Sequence, residues 1–207
     1  MPTGVALADP RQQLYAAADR ILLRDGPAAL TSRAVTAEAG VAKGVLHRHF
    51  ADFDGFLAEL VRDRIARLTT EADQLQQAAG TGSIAGNLAR AMTAWFDPVA
   101  LAMVALVISR DTLRSRLRET TPAGLPLLTE AGTEVIDYLG AEQRLGRLHP
   151  DADVRLLALS IIGTVHLLLA GELRAPPDDG AVRGVIAPML VGAEPDRRRI
   201  SSARRRS

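Results

Sequence analysis

Basic and imidazole side chains crowd into one short segment near the N-terminus, residues 39–50, which reads AGVAKGVLHRHF. The segment holds Lys43, the only lysine of the 207-residue chain, followed by His47, Arg48 and His49, and it contains no acidic residue. Cations on an exposed element can bind phosphate groups, and small side chains beside them can contact base edges. The residue types therefore indicate nucleic-acid binding.

Other chemistry has little support in the residue types present. His47 and His49 are two positions apart on a predicted helix, so their side chains point about 200° apart and do not suit a shared metal ion. The chain has no cysteine and hence no thiolate. It also shows no Ser/His/Asp order, phosphate-binding glycine loop or pair of carboxylates that would indicate catalysis. We expect no enzyme activity, no metal and no cofactor.

The charge distribution implies that any attraction of nucleic acid is local. Six of the 25 basic residues and two of the 24 acidic residues lie after residue 191, so the body has an acidic excess of about three. The absence of cysteine agrees with a reducing compartment. The start MPTGVALADP lacks the pattern of a signal peptide, and the apolar runs are too short for a membrane span. We therefore expect a cytoplasmic protein with no membrane partner.

The elements that position the basic segment are predicted to be helices. Much alanine and leucine, few aromatic residues and no alternating pattern favour an all-α fold. The first helix is expected over 10–24 with Asp9 as its cap, and the second runs from the cap Thr31 to Gly40. A third covers 42–48, and a fourth begins after the cap Asp52 and runs towards 77.

A longer and more apolar set of helices is predicted after the small, polar residues 78–83. These helices are expected over 83–95, 98–109 with Asp97 as cap, 111–144 with a break near Pro122 and Pro126, 151–170, and 178–191. The helix 151–170 is apolar on nearly every face, which a soluble monomer of this size rarely covers, so it predicts a subunit interface. Residues 1–9 and the arginine-rich 192–207 are expected to be disordered.

Two short helices joined by the turn Ala39-Gly40-Val41 form a helix-turn-helix pattern, whose second helix enters the major groove of DNA. The chain resembles the DNA-binding domain of the tetracycline repressor (TetR) family of transcriptional regulators in the order Thr31-xxx-Val35-xxx-Ala39-Gly40-Val41-x-Lys43-Gly44-x-Leu46-xx-His49-Phe50. The motif similarity covers about residues 10–60. The remaining helical layout is compatible with that family up to residue 191.

The resemblance implies an N-terminal helix-turn-helix, three-helix DNA-binding domain and a C-terminal helical domain that binds a ligand and dimerises. We assign residues 10–55 to the first and 56–191 to the second, with a linking helix at 52–77. Val35, Val41, Leu46 and Phe50 are expected to form the small core beneath the recognition helix. The residues expected to contact DNA are Thr31, Ser32, Arg33, Ala42, Lys43, Gly44, Val45, His47, Arg48 and His49.

Three positions of the motif depart from the usual pattern of the family. Ala42, His47 and Phe53 stand where serine, tyrosine and lysine are usual, and those residues commonly help to hold phosphates. We therefore expect DNA affinity that is weaker than in a typical member, or more dependent on pH through His47. A smaller departure is Thr36, where alanine is usual.

The second domain of the resembled family usually binds a small effector between its central helices. The residues that could line an apolar pocket are Met92, Trp95, Phe96, Met103, Leu106, Tyr138 and His166, although core packing alone would explain each of them. The residues expected at a four-helix dimer interface are Leu159, Ile162, His166, Leu169, Val185 and Met189. The arginines of 110–118 are expected to form a solvated helix face or, alternatively, to capture an acidic ligand.

The sequence thus predicts a homodimeric transcriptional regulator, expected to be a repressor. It would leave a palindromic operator in double-stranded DNA when a small, apolar effector binds. Two alternatives stay open. One is a cytosolic helical ligand-binding protein or enzyme with a non-functional helix-turn-helix, and the other is a helical scaffold that acts through its arginine-rich tail.

Overall fold

A computed structural model describes residues 9–171 and 177–195, and over these residues the chain has helices and no strands. The predicted all-α class is confirmed. The helices are α1 Pro10–Asp25, α2 Ser32–Glu38, α3 Gly44–His49, α4 Phe53–Gln77, α5 Ile84–Trp95, α6 Pro98–Ser109, α7 Asp111–Leu117, α8 Leu128–Arg144, α9 Val154–Gly171 and α10 Asp179–Leu190. A short 3-10 turn, Pro27–Ala29, lies between α1 and α2.

Side-chain caps fix where several helices begin. The oxygens of Asp9 and Thr31 accept backbone hydrogen bonds at 2.9 Å and 3.1 Å, and those of Asp52 and Asp97 accept them at 2.6 Å and 2.8 Å. Each bond satisfies one of the N–H groups that the first turn of a helix leaves unpaired. These four predicted caps are confirmed. Asp153 caps α9 in the same way at 3.0 Å, which explains why this helix begins at 154 and not at the predicted 151.

The C-terminal tail was expected to begin at residue 192, but the first residues of that range are ordered. Residues 192–195 form a turn in which Ala193 is buried. The carbonyl of Ala193 accepts a hydrogen bond from the backbone N–H of His149 at 2.6 Å. The expected disorder of the arginine-rich residues 197–207, and of residues 1–8, lies outside the described ranges.

Packing divides the chain into two compact units. Among the described residues, the first contains 9–68 together with 97–129, and the second contains 69–96 together with 130–171 and 177–195. This division differs from the predicted boundary between 55 and 56. It arises because α6 and α7 share an apolar core with the N-terminal helices. The functional assignment of 10–55 and 56–191 stays a prediction.

The core of the first unit contains apolar side chains from six helices. Its buried members include Leu14 and Ile21 of α1, Val35 of α2, Leu46 of α3, Phe56 and Leu57 of α4, Met103 and Leu106 of α6, and Leu113 and Leu117 of α7. Aromatic rings extend this core around α3, with centroid distances of 5.1 Å between Phe50 and Phe56 and 6.0 Å between Tyr15 and Phe50. Burial of this shared surface is what brings the short helices together.

A buried polar network joins the α4–α5 turn to α8 in the second unit. The Tyr138 hydroxyl donates to Glu142 Oε1 at 2.6 Å and accepts from Asn87 Nδ2 at 2.9 Å. Glu142 Oε2 accepts from the N–H of Gly80 and pairs with Arg147, both at 3.3 Å. Burial, followed by the hydrogen bond to Glu142, raises the pKa of Tyr138. Because Tyr138 and Glu142 are fully buried, a lost partner would leave a desolvated polar atom.

We expect Tyr138→Phe to lower the free energy of unfolding by about 1–3 kcal/mol, because the Glu142 carboxylate loses its hydroxyl donor. Urea unfolding followed by circular dichroism measures the change. Tyr15→Phe is the matched control, since the Tyr15 hydroxyl accepts one longer bond, at 3.3 Å, from a half-exposed Arg11. An equal loss in the two variants would contradict a special contribution from the network.

In the first unit, one carboxylate oxygen of Asp19 in α1 is shielded from water. Its Oδ1 atom is buried without a hydrogen-bond partner. Burial raises the pKa of Asp19, and the positive charges of Arg64 and Arg67 oppose this shift. The folded state therefore disfavours the ionised form of this side chain relative to the unfolded chain.

We expect Asp19→Asn to raise the free energy of unfolding at pH 7. The folded-state pKa of Asp19 lies above its unfolded value, so the penalty on the wild type is present above the folded pKa and disappears as the pH falls towards about 4. The gain of the variant should shrink over the same range. Urea unfolding at several pH values measures this, with the exposed Asp73→Asn as control. A gain that grows in acid would contradict the assignment.

Candidate nucleic-acid interface

The turn between α2 and α3 sets the direction in which the basic segment leaves α2. Gly40 has φ = 66°, a left-handed conformation that a residue with a side chain rarely adopts. The N–H of Val41 donates to the carbonyl of Thr36, and the N–H of Gly40 donates to that of Ala37, both at 3.1 Å. These two hydrogen bonds are typical of a helix that ends at a glycine. The predicted turn at Ala39-Gly40-Val41 is confirmed.

The inner side of α3 is held by the core of the first unit. Val35, Leu46 and Phe50 are buried, and Val41 and Val45 are partly buried against the same cluster. The N–H of Phe50 ends α3 by donating to the carbonyl of Leu46 at 2.9 Å. The expected small core beneath the recognition helix is therefore present.

The outer side of α3 and of the residues before it carries unpaired basic side chains. Lys43, His47 and Arg48 are exposed, as is Arg33 of α2. Within the described ranges, none of these four side chains forms a hydrogen bond or an ion pair. Unpaired cations next to a short helix can bind phosphates without first breaking a contact within the protein.

The other residues predicted to contact DNA lie around these cations with different exposure. Thr31, Ala42 and Gly44 are exposed. Ser32, Val45 and His49 are half-buried, and the Ser32 hydroxyl oxygen is buried without a partner. The structure thus places most of the predicted set on the surface, with His49 set back at the end of α3.

Two of the departures from the usual motif have structural explanations. The ring of Phe53 stacks on Phe56, with centroids 5.7 Å apart, and the guanidinium of Arg110 lies 5.7 Å above the Phe53 ring. Position 53 is therefore part of an aromatic cluster. The buried Thr36 is satisfied, because its hydroxyl donates to the carbonyls of Ser32 and Arg33 at 3.0 Å and 3.2 Å.

The arginines of 110–118 do not form a purely solvated face, which corrects the expectation from sequence. Arg110 donates to the carbonyl of Leu30 at 2.8 Å, and Arg116 pairs with Asp52 at 2.5 Å. Arg114 instead pairs with its neighbour Asp111 on α7. Sequence reasoning missed the first two contacts because the partners are far apart along the chain and no local pattern links them.

The residues predicted to line a ligand pocket are not gathered at one cavity. Met103 and Leu106 pack in the core of the first unit, and their assignment to a pocket stays a prediction. In the second unit Met92, Trp95, Phe96 and Tyr138 are buried. The rings of Phe96 and His166 meet edge to face at 6.3 Å, and burial lowers the pKa of His166.

A cavity of about 300 Å³ lies in the second unit between the end of α4 and α5. Trp95 lines it, whereas the other six predicted pocket residues do not. Leu75, Ala91 and Ala94 add apolar surface to the lining. Its polar lining residues are Glu71, Gln74, Asn87 and Arg90. The cavity is thus amphipathic rather than largely apolar.

The predicted dimer residues divide between the core and the surface. Ile162 and Leu169 are 5% and 3% exposed in the single chain, so they belong to its own core, and their assignment to an interface stays a prediction. Leu159 is 71% exposed. His166, Val185 and Met189 are half-buried. Because α9 is apolar on both sides, the spacing of its apolar residues did not distinguish the buried side from the exposed one.

Two further properties of the described residues bear on function. Over 9–171 and 177–195, no three His, Cys, Asp or Glu side chains lie close enough together to hold a metal ion. On length and composition α9 could cross a membrane, with a mean hydropathy of 1.9 and 28% of its most apolar window buried. A core helix of a soluble protein passes the same test.

Comparison with known proteins begins with the N-terminal helices. The family model described as bacterial regulatory proteins, tetR family, matches residues 14–60, which include α2, the Gly40 turn and α3. None of the curated proteins compared with the sequence matches it significantly.

The fold of the whole chain is similar to that of several solved structures. The fatty acid degradation regulator FadR from Bacillus halodurans has a TM-score of 0.70 and 16% identity, covering 91% of this chain and 98% of that one. A TetR-family member from Streptomyces coelicolor A3 has a TM-score of 0.62 and 22% identity, with coverage of 91% and 100%. The multidrug binding protein EbrR in complex with imidazole has a TM-score of 0.59 and 23% identity, with coverage of 92% and 99%. Residues 14–60 thus match the model of the tetR family of bacterial regulatory proteins, and the fold of the chain is similar to that of these solved structures.

Proposed function

We propose that this DNA-binding transcriptional regulator is a dimeric repressor that binds a palindromic operator and releases it when a small effector binds. The main support for the proposal is that one side of α3 is buried and the other is exposed. Leu46 is buried in the core, while Lys43, His47 and Arg48 are exposed and unpaired among the described residues. A helix held in this way can present cations to DNA with little rearrangement.

Within this interface the side chains have separate tasks. Lys43 and Arg48 contact phosphates or base edges, and Val45 reads sequence by apolar contact. Gly44 allows the helix to lie close to the phosphate backbone. A Cβ atom added at Gly44 would meet no other protein atom within 4 Å, so packing within the chain does not require a glycine there. That open space supports a close approach from outside the protein.

We expect Lys43→Ala and Arg48→Ala to weaken binding to a duplex selected from a random pool. A lost base-edge contact should cost about 1–3 kcal/mol at the selected sequence, whereas a lost phosphate contact should weaken all sequences alike and flatten the salt dependence by about one unit. Fluorescence anisotropy at several salt concentrations distinguishes the two. Arg155→Ala, which removes an exposed arginine of α9, is the control. Unchanged affinity in both α3 variants, or no enriched sequence, would contradict the proposed interface.

Dimerisation follows from the exposed apolar sides of α9 and α10. Leu156, Leu159 and Leu167 of α9 are 60%, 71% and 75% exposed, and α10 is followed by Val191 at 77%. The small residues Gly163 and Gly184 are also exposed and would allow close packing of helices. We propose that these sides meet their copies in a four-helix interface. Two-fold symmetry would then relate two recognition helices and match a palindromic operator.

We expect Leu159→Arg to convert a dimer into a monomer and to weaken operator binding at the same time. The variant should fold, because Leu159 is largely exposed in the single chain and an arginine there is costly only inside an interface. Sedimentation velocity and operator titration measure the two effects. Leu145→Arg, at a leucine that is also exposed but directly follows the end of α8, is the matched control. A wild-type monomer at micromolar concentration would contradict the interface and the palindrome together.

The effector site is proposed at the 300 Å³ cavity beside Trp95. Solved proteins of the same fold include EbrR in complex with ethidium and a gamma-butyrolactone receptor. Trp95 and Leu75 would contact an apolar ligand body, while Glu71 and Arg90 could pair with a polar group. Glu71 and Leu75 belong to α4, which continues unbroken from Phe53 to Gln77. A ligand that favours one position of α4 by a few kcal/mol could therefore release DNA.

A further inference from the structure

A second cavity, of about 500 Å³, lies in the first unit beside the end of α3. Three arginines from three different helices line it: Arg11 of α1, Arg62 of α4 and Arg116 of α7. Two glutamates, Glu59 and Glu119, also line it. The charged lining residues thus carry one more positive than negative charge. His49 is the one lining residue that also belongs to the residues predicted to contact DNA, and the proposed effector site uses none of this lining.

The arginines of this cavity retain free hydrogen-bond donors. Arg11 uses one terminal nitrogen, Nη2, for both Tyr15 and Glu59, and Arg116 uses Nη2 for Asp52. Across the ranges that the structure describes, their remaining N–H groups have no recorded partner. The Nε atom of Arg62 is buried without a hydrogen-bond partner. Guanidinium groups with free edges bind phosphate oxygens in pairs of parallel hydrogen bonds.

The first turn of α4 also borders the cavity. Ala51 and Gly55 line it at the beginning of this 25-residue helix, where the helix dipole is positive. A Cβ atom at Gly55 would lie 3.3 Å from Nη1 of Arg116 and 3.3 Å from Oδ1 of Asp52. The glycine therefore leaves room for the guanidinium of Arg116 against the first turn.

We propose that this cavity is a binding site for a phosphate group. Arg11, Arg62 and Arg116 would supply the hydrogen bonds. The phosphate group comes either from a small soluble compound, for which 500 Å³ is an ordinary pocket size, or from the DNA backbone. DNA bound at α3 would lie near the cavity, because His49 and Phe50 stand at the end of α3 and also line the cavity.

The first arm of the test titrates the full chain with inorganic pyrophosphate at constant ionic strength and follows heat by calorimetry. A soluble source predicts saturable binding that Arg116→Gln weakens at least about tenfold. Arg114→Gln is the matched control, because Arg114 lies on the same helix but pairs with Asp111 and does not line the cavity. This arm uses no DNA, so its outcome is independent of whether the proposed operator binding is correct.

The second arm measures binding to random-sequence duplexes at several salt concentrations. A backbone source predicts that Arg116→Gln weakens every duplex alike and lowers the salt slope by about one unit, with no change in Arg114→Gln. Glu119→Gln should strengthen, several-fold, the binding that responds, whether to pyrophosphate or to DNA. The substitution removes a negative charge from the cavity lining and breaks no hydrogen bond or ion pair among the described residues. This variant keeps the proposal testable if Arg116→Gln fails to fold after losing Asp52. No response in either arm, equal losses in the two arginine variants, or unchanged binding by Glu119→Gln would overturn the proposal.

Discussion

The short helix α3 depends on the apolar contacts beneath it. It has six residues, and a helix of this length is not stable alone in water because nucleation is unfavourable. Leu46 and Phe50 anchor α3 to the shared core, and the edge-on contact between Phe50 and Phe56 joins its end to α4. The exposed cations of α3 keep fixed positions only while these contacts exist. The proposed DNA binding through α3 therefore depends on this packing as well as on charge.

Polar contacts orient the elements around that core without contributing much stability. Arg64 pairs with Asp97 at 2.5 Å, and Asp97 also caps α6, so α4 is tied to the beginning of α6. Arg110 and Arg116 make similar connections from α7 and the residue before it. Partly exposed ion pairs are worth about 0–1 kcal/mol each. Their effect is to select one arrangement of helices whose stability comes from apolar burial.

The sequence predicted the features that are encoded locally. The caps Asp9, Thr31, Asp52 and Asp97 each depend on one side chain and the following turn, and the structure confirms all four. The turn at Gly40 is encoded in the same way. The bounds of the longer helices agree with the prediction to within a few residues, because proline, glycine and capping residues mark their ends.

The features that the sequence did not predict depend on which surfaces of the chain pack against each other. Periodicity identified Met103 and Leu106 as apolar, but it did not show that α6 packs with the N-terminal helices. Similarly, the cations Arg110 and Arg116 looked solvated because their partners Leu30 and Asp52 are far away in sequence. Spacing within one helix defines a face, but it does not define the neighbour of that face.

The helix α9 illustrates the same limit and also shows what resolves it. Hydropathy treats both of its sides as equivalent, since Ile162 and Leu159 are equally apolar by type. Burial separates them, because the chain covers Ile162 and leaves Leu159 in solvent. A row of exposed leucines on a rigid helix is unfavourable in water unless another surface covers it. A second copy of the chain offers a self-complementary surface of the same chemistry, which a two-fold axis requires. In the proposed dimer, the spacing of the two α3 helices would be set by this axis, and a ligand that moves α4 would alter DNA affinity without touching α3.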